Sequence, residues 1–233
     1  CVLACPAHTD CQGYVGLIAN GEFEAALELV KDKIPLPAAL GRVCPHPCEK
    51  KCRRGLVEEP ISIATLKAYA ADRDLESGNI FMPEVAESTG KKVAIIGGGP
   101  GGISAAYYLA IKGHGVTVFD MMPKMGGMLR YGIPNYRLPD SVLDDFQYRH
   151  LELKGIKVRP NTTIGKTITI DDLFRDGYKS VFIGAGLWKA NAMHIKGETL
   201  GNVAFGIDYL ANSKAFQLGD DIAVIGVGNS AMD

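Results

Sequence analysis

Cysteine is absent from this chain after Cys52, and the gap removes one class of chemistry from residues 53–233. A dithiol reductase needs a redox-active pair of thiols, and that stretch holds no thiol. An excess of charge of one sign is also lacking, since the formal net charge is −1. There is thus no bulk electrostatic attraction to nucleic acid or to an anionic membrane. The longest mostly apolar stretch, residues 103–111, is far too short for a membrane span.

A glycine-rich signature is present instead, and it predicts a dinucleotide site. Gly97-x-Gly99-x-x-Gly102 follows a predicted buried strand at 93–96 and opens a predicted helix at 102–112, and Asp120 ends the next strand. The glycines permit a tight turn, close approach of a pyrophosphate and close helix–strand packing, while the carboxylate can accept hydrogen bonds from ribose. A glycine turn without a ligand is the alternative. The candidate cofactor-binding residues are Gly97, Gly98, Gly99, Pro100, Gly101, Gly102 and Asp120.

A second signature, Gly226-x-Gly228-x-x-Ala231, follows the apolar run at 221–225, which we predict to be a strand. Two such signatures suggest two dinucleotides, a flavin that stays bound and a nicotinamide that exchanges. The residue that would separate NADH from NADPH is expected beyond Asp233. Because the chain starts without Met and ends inside this signature, we expect it to be part of a longer polypeptide.

The loop after Asp120 supplies further candidates. Gly126 and Gly127 allow close backbone approach, and the guanidinium of Arg137 suits a phosphate or a flavin carbonyl. An ordinary surface loop is the alternative.

Six cysteines crowd the first 52 residues, in the groups Cys1-x3-Cys5-x5-Cys11 and Cys44-x3-Cys48-x3-Cys52. Disulfides suit small secreted modules and fit poorly beside a dinucleotide fold. Zinc accepts these spacings, but six thiols do not divide into complete four-ligand sites. Iron–sulfur clusters take four thiolates, often from separated runs of sequence, so we favour them and treat all six cysteines as candidate ligands.

The order of predicted elements divides the chain. Residues 1–78 are expected to form a helical cluster domain, with helices after Asp10, over 22–33 and after Ser62; Pro35 and Pro37 end the second, and a loop carries the later cysteines. Residues 79–90 are a predicted linker. Residues 91–218 are predicted as a Rossmann-like flavin domain, with a helix over 141–153 and strands near 156–158, 168–170 and 180–183, and residues 219–233 begin a second such domain. Alternating strands and helices predict the α/β class with a parallel sheet.

These pieces in this order resemble one family. It includes the glutamate synthase small subunit, the amino-terminal half of dihydropyrimidine dehydrogenase and electron-bifurcating ferredoxin–NADP oxidoreductases. The matching segments are CVLACPAHTDCQGYV, GRVCPHPCEKKCRRG, PISIATLKAYAAD, VAIIGGGPGGISAAYYLA, GGMLRYGIPNYRLPD, YKSVFIGAG and IAVIGVGNSAMD. The resemblance implies two [4Fe-4S] clusters in a helical, α-helical-ferredoxin-like domain, FAD at the first glycine signature and NAD(P)H at the second. It also implies that Val43, Arg137 and Ile164 lie at the flavin.

The resemblance further implies a division of the cysteines. Cys1 and Cys52 would serve a cluster completed by two cysteines that family members carry upstream of the position of Cys1. The other cluster would take Cys5, Cys44 and Cys48. Its fourth ligand in the family is often Gln or Glu, and Lys67 stands at that position here. A protonated amine is not a ligand, so our hypothesis is that Cys11 completes the cluster.

The expected function is electron transfer from NAD(P)H through FAD to the clusters and a partner, most plausibly as a glutamate synthase small-chain-like oxidoreductase. A bifurcating ferredoxin–NADP oxidoreductase subunit and a dihydropyrimidine dehydrogenase-like subunit are alternatives, as is a non-enzymatic electron relay or zinc scaffold. We expect an electron-accepting large subunit or ferredoxin as partner, a hetero-oligomer and a cytoplasmic location. No residue is assigned as a catalytic acid or base.

Overall fold

The first third of the chain is helical, as its sequence predicts. A computed structural model describes residues 1–77, 81–146 and 155–233. Residues 1–77 form α1 (Cys11–Ala19), α2 (Phe23–Lys31), α3 (Pro37–Val43), α4 (Pro47–Lys50) and α5 (Ile63–Glu76), with a 3-10 turn over Arg53–Leu56. The α1 cap is the predicted one, because a carboxylate oxygen of Asp10 accepts a hydrogen bond from the amide of Gly13 at 2.9 Å.

Helix α3 is a correction to the sequence prediction, which placed a loop between Pro37 and the second cysteine group. Pro37 is the first residue of α3 and Pro47 the first of α4. Proline is well tolerated there, since the first turn of a helix has no intrahelical acceptor for its N–H groups. Cys44 therefore follows a helix directly, and Cys48 lies on a short one.

Helix α5 is the element around which the helical half packs. Its buried residues recur every three or four positions: Ile63, Ala64, Lys67, Ala70, Ala71 and Asp74. Helix α3 crosses it closely, because a Cβ added to Gly41 would lie 2.5 Å from the Cβ of Ala68. Ser62 occupies the predicted capping position, but its side chain makes no capping hydrogen bond.

Residues 91–183 build a parallel sheet, which confirms the α/β fold class. Its strands are β1 (Lys92–Ile96), β2 (Gly115–Phe119), β3 (Lys157–Arg159) and β4 (Tyr178–Ile183), in the order β3-β2-β1-β4. Each neighbouring pair is parallel. The last four residues of β1 and of β2 are buried, which explains why both read as continuous apolar runs.

Helices α6 (Pro100–Ile111) and α9 (Ile170–Arg175) pack on opposite faces of this sheet. The sheet half also contains α7 (Met128–Tyr131), α8 (Asp140–Phe146), α10 (Gly206–Ala211) and α11 (Asn229–Met232). Helix α6 connects β1 to β2 and shares a core with Ile95 and Val118, while Leu173 of α9 packs with Ile96 and Phe119 in a second cluster. Among the helices of the described ranges, none has the length and apolar character needed to cross a bilayer.

Two predicted strands differ from the structure, and one predicted helix is described only in part. The strand at 168–170 is wrong: Ile168 makes one isolated bridge to Ile164, and Thr169 caps α9 through a reciprocal pair of hydrogen bonds with Asp172. The strand at 221–225 is also wrong, since those residues are irregular and exposed, and a buried strand needs a neighbour to pair with. The helix predicted over 141–153 is seen as α8, and residues 147–153 of that prediction lie outside the described residues.

Buried polar contacts join the helical half to the sheet half. The Lys31 ammonium lies 2.8 Å from a carboxylate oxygen of Asp74 and donates to the carbonyl of Phe81 at 2.9 Å. The amide of Phe81 donates to the other oxygen of Asp74 at 2.7 Å. The hydroxyl of Tyr108, on α6, donates to the carbonyl of Lys31 at 3.1 Å. One lysine thus connects α2, α5, the chain after α5 and the sheet half.

Candidate functional site

The first glycine signature forms a turn that no other residue could make. Gly97 has a φ of +100°, in the region that favours glycine, and a Cβ there would lie 2.3 Å from the carbonyl oxygen of Gly184. A Cβ on Gly102 would lie 1.8 Å from the carbonyl oxygen of Gly97. A Cβ on Gly99 would lie 3.7 Å from the Cα of Gly127, which is an ordinary van der Waals contact. Side chains at Gly97 and Gly102 would therefore clash with the backbone, whereas Gly99 has space beside it that a ligand could occupy.

Asp120 orients this turn. Its carboxylate is 6% exposed and accepts hydrogen bonds from the amide of Gly98 and, at 2.7 Å, from the amide of Met122. Each carboxylate oxygen keeps a second lone pair for a ligand hydroxyl. The sequence predicted the ligand contact, but the structural role in fixing the glycine turn is an addition from the structure.

The predicted glycine pair lies against the same turn. The amide of Gly126 donates to the carbonyl of Gly98 at 2.8 Å, and a Cβ on Gly127 would lie 2.6 Å from the Cα of Gly99. Both glycines have positive φ, of +134° and +52°. The structure therefore brings Gly127 next to the first signature, where the absence of side chains keeps two backbone segments in contact.

Arg130 is a residue of this site that sequence reasoning missed. Its side chain is 5% exposed; the guanidinium donates to the carbonyl of Met125 at 2.8 Å and pairs with Asp140 at 2.9 Å and Asp144 at 2.6 Å. Burial raises the pKa of Asp144, but hydrogen bonds from Lys124 and Arg130 outweigh it and hold that pKa below its ordinary value. Arg130 thereby ties the loop after the glycine pair to α8.

Arg137 lies on a braced turn and reaches the second signature. The amides of Arg137 and Leu138 donate to the carbonyl of Pro134, and Leu138 is 1% exposed, so the turn is anchored and Arg137 points outward. Its guanidinium pairs with Asp233, and the hydroxyl of Tyr136 donates to the carbonyl of Asp233 at 3.2 Å. The predicted flavin-contacting arginine therefore holds the end of α11 in this structure.

The second signature has the shape of a turn that opens a helix. Gly226 has a φ of +139°, and α11 begins directly after Gly228. The amide of Ala231 donates to the carbonyl of Gly228 at 3.0 Å. These three predicted residues are thus brought together, at the edge of the sheet half.

The six cysteines are all free thiols. Cys11 and Cys48 are buried in the core of the helical half, and Cys1 and Cys5 pack against the same core. The sulfur of Cys44 accepts a hydrogen bond from the amide of His46 at 3.4 Å, and the thiol of Cys5 donates to the hydroxyl of Thr9 at 3.6 Å. In residues 1–77, 81–146 and 155–233, no three His, Cys, Asp or Glu side chains converge on one point as the ligands of a single ion do.

The cysteines differ in how easily they ionise. Burial raises the pKa of the Cys11 thiol to about 11, and burial likewise raises that of Cys48. Burial also acts to raise the pKa of Cys5, but hydrogen bonds from Thr9 and Ala7 and the nearby charge of Lys67 outweigh it, so the pKa lies below the ordinary value. Backbone hydrogen bonds from Ile61 and Arg54 lower the pKa of Cys52.

Comparison with known proteins agrees with this geometry. Residues 91–233, more than half of the chain, match the family model described as pyridine nucleotide-disulphide oxidoreductase. This chain belongs to that family. Residues 1–79 match a second model, described as dihydropyrimidine dehydrogenase domain II, 4Fe-4S cluster. The cofactors of these two domains are FAD, NAD(P)H and 4Fe-4S clusters.

Several curated relatives of this pyridine nucleotide-disulphide oxidoreductase align with nearly the whole chain, including the segments 1–79 and 91–233. The chain is 39% identical to the NADP(+)-dependent formate dehydrogenase subunit beta of Moorella thermoacetica, over 100% of this chain and 36% of that protein. It is 35% identical to the NADPH-Fe(3+) oxidoreductase subunit beta of Geobacter sulfurreducens, over 100% and 36%. It is 34% identical to the glutamate synthase [NADPH] small chain of Bacillus subtilis, over 98% and 49%. The chain therefore spans between about a third and a half of these relatives.

The residues present fit the family's cofactors. A Cβ at Gly97 or Gly102 would clash with a backbone carbonyl oxygen, so this tight turn requires glycine at both positions, as a pyrophosphate-binding turn does. Six free thiols from two separated segments form the donor set that iron–sulfur clusters require. Each thiolate of a cluster binds a different iron, so such thiols do not meet at one point. Despite the family's name, residues 53–233 contain no thiol pair for dithiol chemistry.

Two further predicted residues lie on other segments of the fold. Val43 ends α3, one residue before Cys44, and packs partly buried against the core of the helical half. Ile164 packs with Leu173 and Phe119 on the α9 side of the sheet. Their contact with a flavin stays a prediction.

Proposed function

We propose that this chain is the electron-entry part of a larger oxidoreductase and takes its reducing equivalents from NAD(P)H. The observation that carries the proposal is a glycine cradle and six free thiols in two halves joined by the buried contacts of Lys31. Bound FAD would supply the conversion of a two-electron donor into one-electron output. The proposed domains are residues 1–78 for the clusters, 79–90 as linker, 91–218 for FAD and 219–233 as the start of the nicotinamide domain.

The protein's own contribution is binding and orientation. The backbone N–H groups at the start of the twelve-residue helix α6 would bind a pyrophosphate. Asp120 holds the turn and offers its free lone pairs to ribose. Asp233 and Arg137 keep the second signature beside the first domain, which would set the approach of the nicotinamide. The proposed cofactor contacts are completed by Val43, Gly127, Ile164, Gly226, Gly228 and Ala231, and the proposed cluster ligands are the six cysteines.

The electron acceptor distinguishes two candidate complexes. The resemblance carried by the sequence motifs favours a glutamate synthase-type large subunit. The formate dehydrogenase subunit beta is the more similar of these two relatives, at 39% identity against 34%, and this favours a formate dehydrogenase-type partner. In both cases the chain would act in a hetero-oligomer.

The experiment is purification of the full-length protein under anaerobic conditions with whatever subunits accompany it. We expect bound flavin, iron, and NADPH- or NADH-dependent reduction of a one-electron dye. Glutamate formation and formate oxidation by the purified complex then separate the two partners. Material that contains iron and flavin but reduces no dye with either nicotinamide would contradict the proposal.

A further inference from the structure

Among the described residues, one buried lysine of the helical half has no partner. Three charged residues of this half are buried among the described residues: Lys31, Lys67 and Asp74, at 3%, 5% and 9% exposure. Lys31 and Asp74 form an ion pair, and both oxygens of Asp74 are already engaged. Within the described ranges Lys67 has neither an ion pair nor a hydrogen bond.

Asp74 cannot serve Lys67 as well. The two residues lie on one face of α5, seven positions and therefore two turns apart, about 10 Å along the helix. The residues between them on that face are Ala70 and Ala71, which offer no polar atom in their side chains. A buried ammonium without a counter-charge is strongly destabilising, so its retention calls for an anion nearby.

The surroundings of Lys67 indicate which anion this is. One turn before it on α5, the amide of Ala64 donates to a carboxylate oxygen of Glu49 on α4 at 2.8 Å, so the α5 segment that carries Lys67 is tied to the cysteine-bearing α4. Cys5, on the other cysteine segment, packs against the same buried core as Ile63 and Ala70 of α5. Lys67 therefore sits where the two cysteine segments face α5.

We propose that Lys67 is the internal counter-charge of the iron–sulfur cluster held by Cys5 and its neighbouring cysteines. Thiolates, sulfide and iron together carry net negative charge in such clusters, and a nearby cation stabilises the reduced, more negative state. Lys67 thus raises the reduction potential of this cluster and favours its acceptance of electrons. It is a positioning residue and binds no iron, because an ammonium has no lone pair. The inference rests on the cluster-bearing role of residues 1–79.

The test compares reduction potentials, which a purely structural role would not shift. Full-length protein is prepared anaerobically as wild type, Lys67→Met and Lys67→Arg; methionine keeps the length of the side chain without its charge, and arginine keeps the charge. The matched control is Lys33→Met, a half-exposed lysine of the same domain that pairs with Asp32. Iron and sulfide content and an EPR-monitored redox titration are measured for each.

We expect Lys67→Met to shift the potential of one cluster to more negative values at unchanged iron content, with Lys67→Arg and Lys33→Met close to wild type. Loss of iron in Lys67→Met but not in Lys67→Arg would also support the proposal, since only the charge separates them. An unshifted potential in iron-replete Lys67→Met, or equal iron loss in both Lys67 variants, would overturn it. Absence of iron from the wild type would instead defeat the proposed function.

Discussion

The substitution Gly102→Ala tests the geometry of the glycine turn most directly. A Cβ on Gly102 would lie 1.8 Å from the carbonyl oxygen of Gly97 and 3.2 Å from a methyl carbon of Ile95. The first contact is with backbone that itself forms the turn, so no side-chain rotation can relieve it. The start of α6 must move away from β1, which opens both the core and the cradle.

The magnitude follows from the size of this overlap. Overpacking of a well-packed site typically destabilises by 1–3 kcal/mol, and a clash with backbone belongs at the upper end, about 3 kcal/mol. For a unit of roughly 150–250 residues, each kcal/mol lowers the melting temperature by about 2–4 °C. We therefore expect the melting temperature of Gly102→Ala to fall by about 6–12 °C, with loss of most of the bound flavin.

Substitutions at two further glycines distinguish an effect on folding from an effect on flavin binding. Gly99→Ala meets only an ordinary contact at 3.7 Å, so the fold should hold while the methyl group obstructs the pyrophosphate, and we expect flavin affinity to fall by roughly tenfold, about 1.4 kcal/mol. Gly16→Ala, in α1, is the control: outside its own helix backbone and chain neighbours, the described residues bring no atom within 4 Å of the added Cβ, and the variant should gain up to about 1 kcal/mol.

The assay is thermal unfolding with flavin quantified by absorbance per polypeptide. The reasoning is refuted if Gly102→Ala melts with the wild type and retains stoichiometric flavin. It is equally refuted if Gly16→Ala loses as much stability as Gly102→Ala, because the effect would then not depend on the surroundings of the glycine.

Three other predictions concern the charges and thiols. Asp74→Asn removes the carboxylate charge that pairs with the buried ammonium of Lys31 and should destabilise the protein by about 3–5 kcal/mol, as measured by thermal melting. The pKa of Asp144 is lowered in the folded state by its hydrogen bonds with Lys124 and Arg130, so this stabilisation is present above a pH of about 4 and lost as the pH falls through the folded pKa; Asp144→Asn should flatten the acid limb of a stability–pH profile, and an unchanged limb would contradict this. Cys11→Ala should lower the iron content if Cys11 completes the second cluster, and unchanged iron and spectra would discard that ligand.

The parts of the fold that the sequence predicted are those encoded locally. The turn at Gly97, the buried strands β1 and β2 and the capped start of α1 each depend on a few adjacent residues. The region at 221–225 shows the limit, since an apolar run becomes a strand only beside a partner, and the described residues place none there. Helix α3 was missed because Pro37 predicts the end of a helix as readily as its first residue.

The residues of the site that were missed depend on contacts between segments. Arg130 follows a glycine pair in an unremarkable sequence, and its role appears only when the loop brings it to Asp140 and Asp144. The contact of Arg137 with a flavin stays a prediction, while its pairing with Asp233, 96 positions away, is visible only in the fold. Sequence patterns identify which groups are chemically able to act, and the tertiary fold decides which of them meet.

Polar contacts at Lys31 join the two halves in addition to the apolar core that they share. An apolar interface tolerates sliding, whereas a buried ion pair and its hydrogen bonds are satisfied in one arrangement only. Lys31 meets this condition toward Asp74 and Phe81, and Tyr108 adds the bond to the sheet half. The rate of electron transfer between a flavin and a cluster depends on the distance between them, so we infer that the contacts at Lys31 keep this distance fixed. If so, Asp74→Asn should slow reduction of the clusters by NADPH more than it weakens flavin binding, and equal losses in both would show that these contacts serve stability alone.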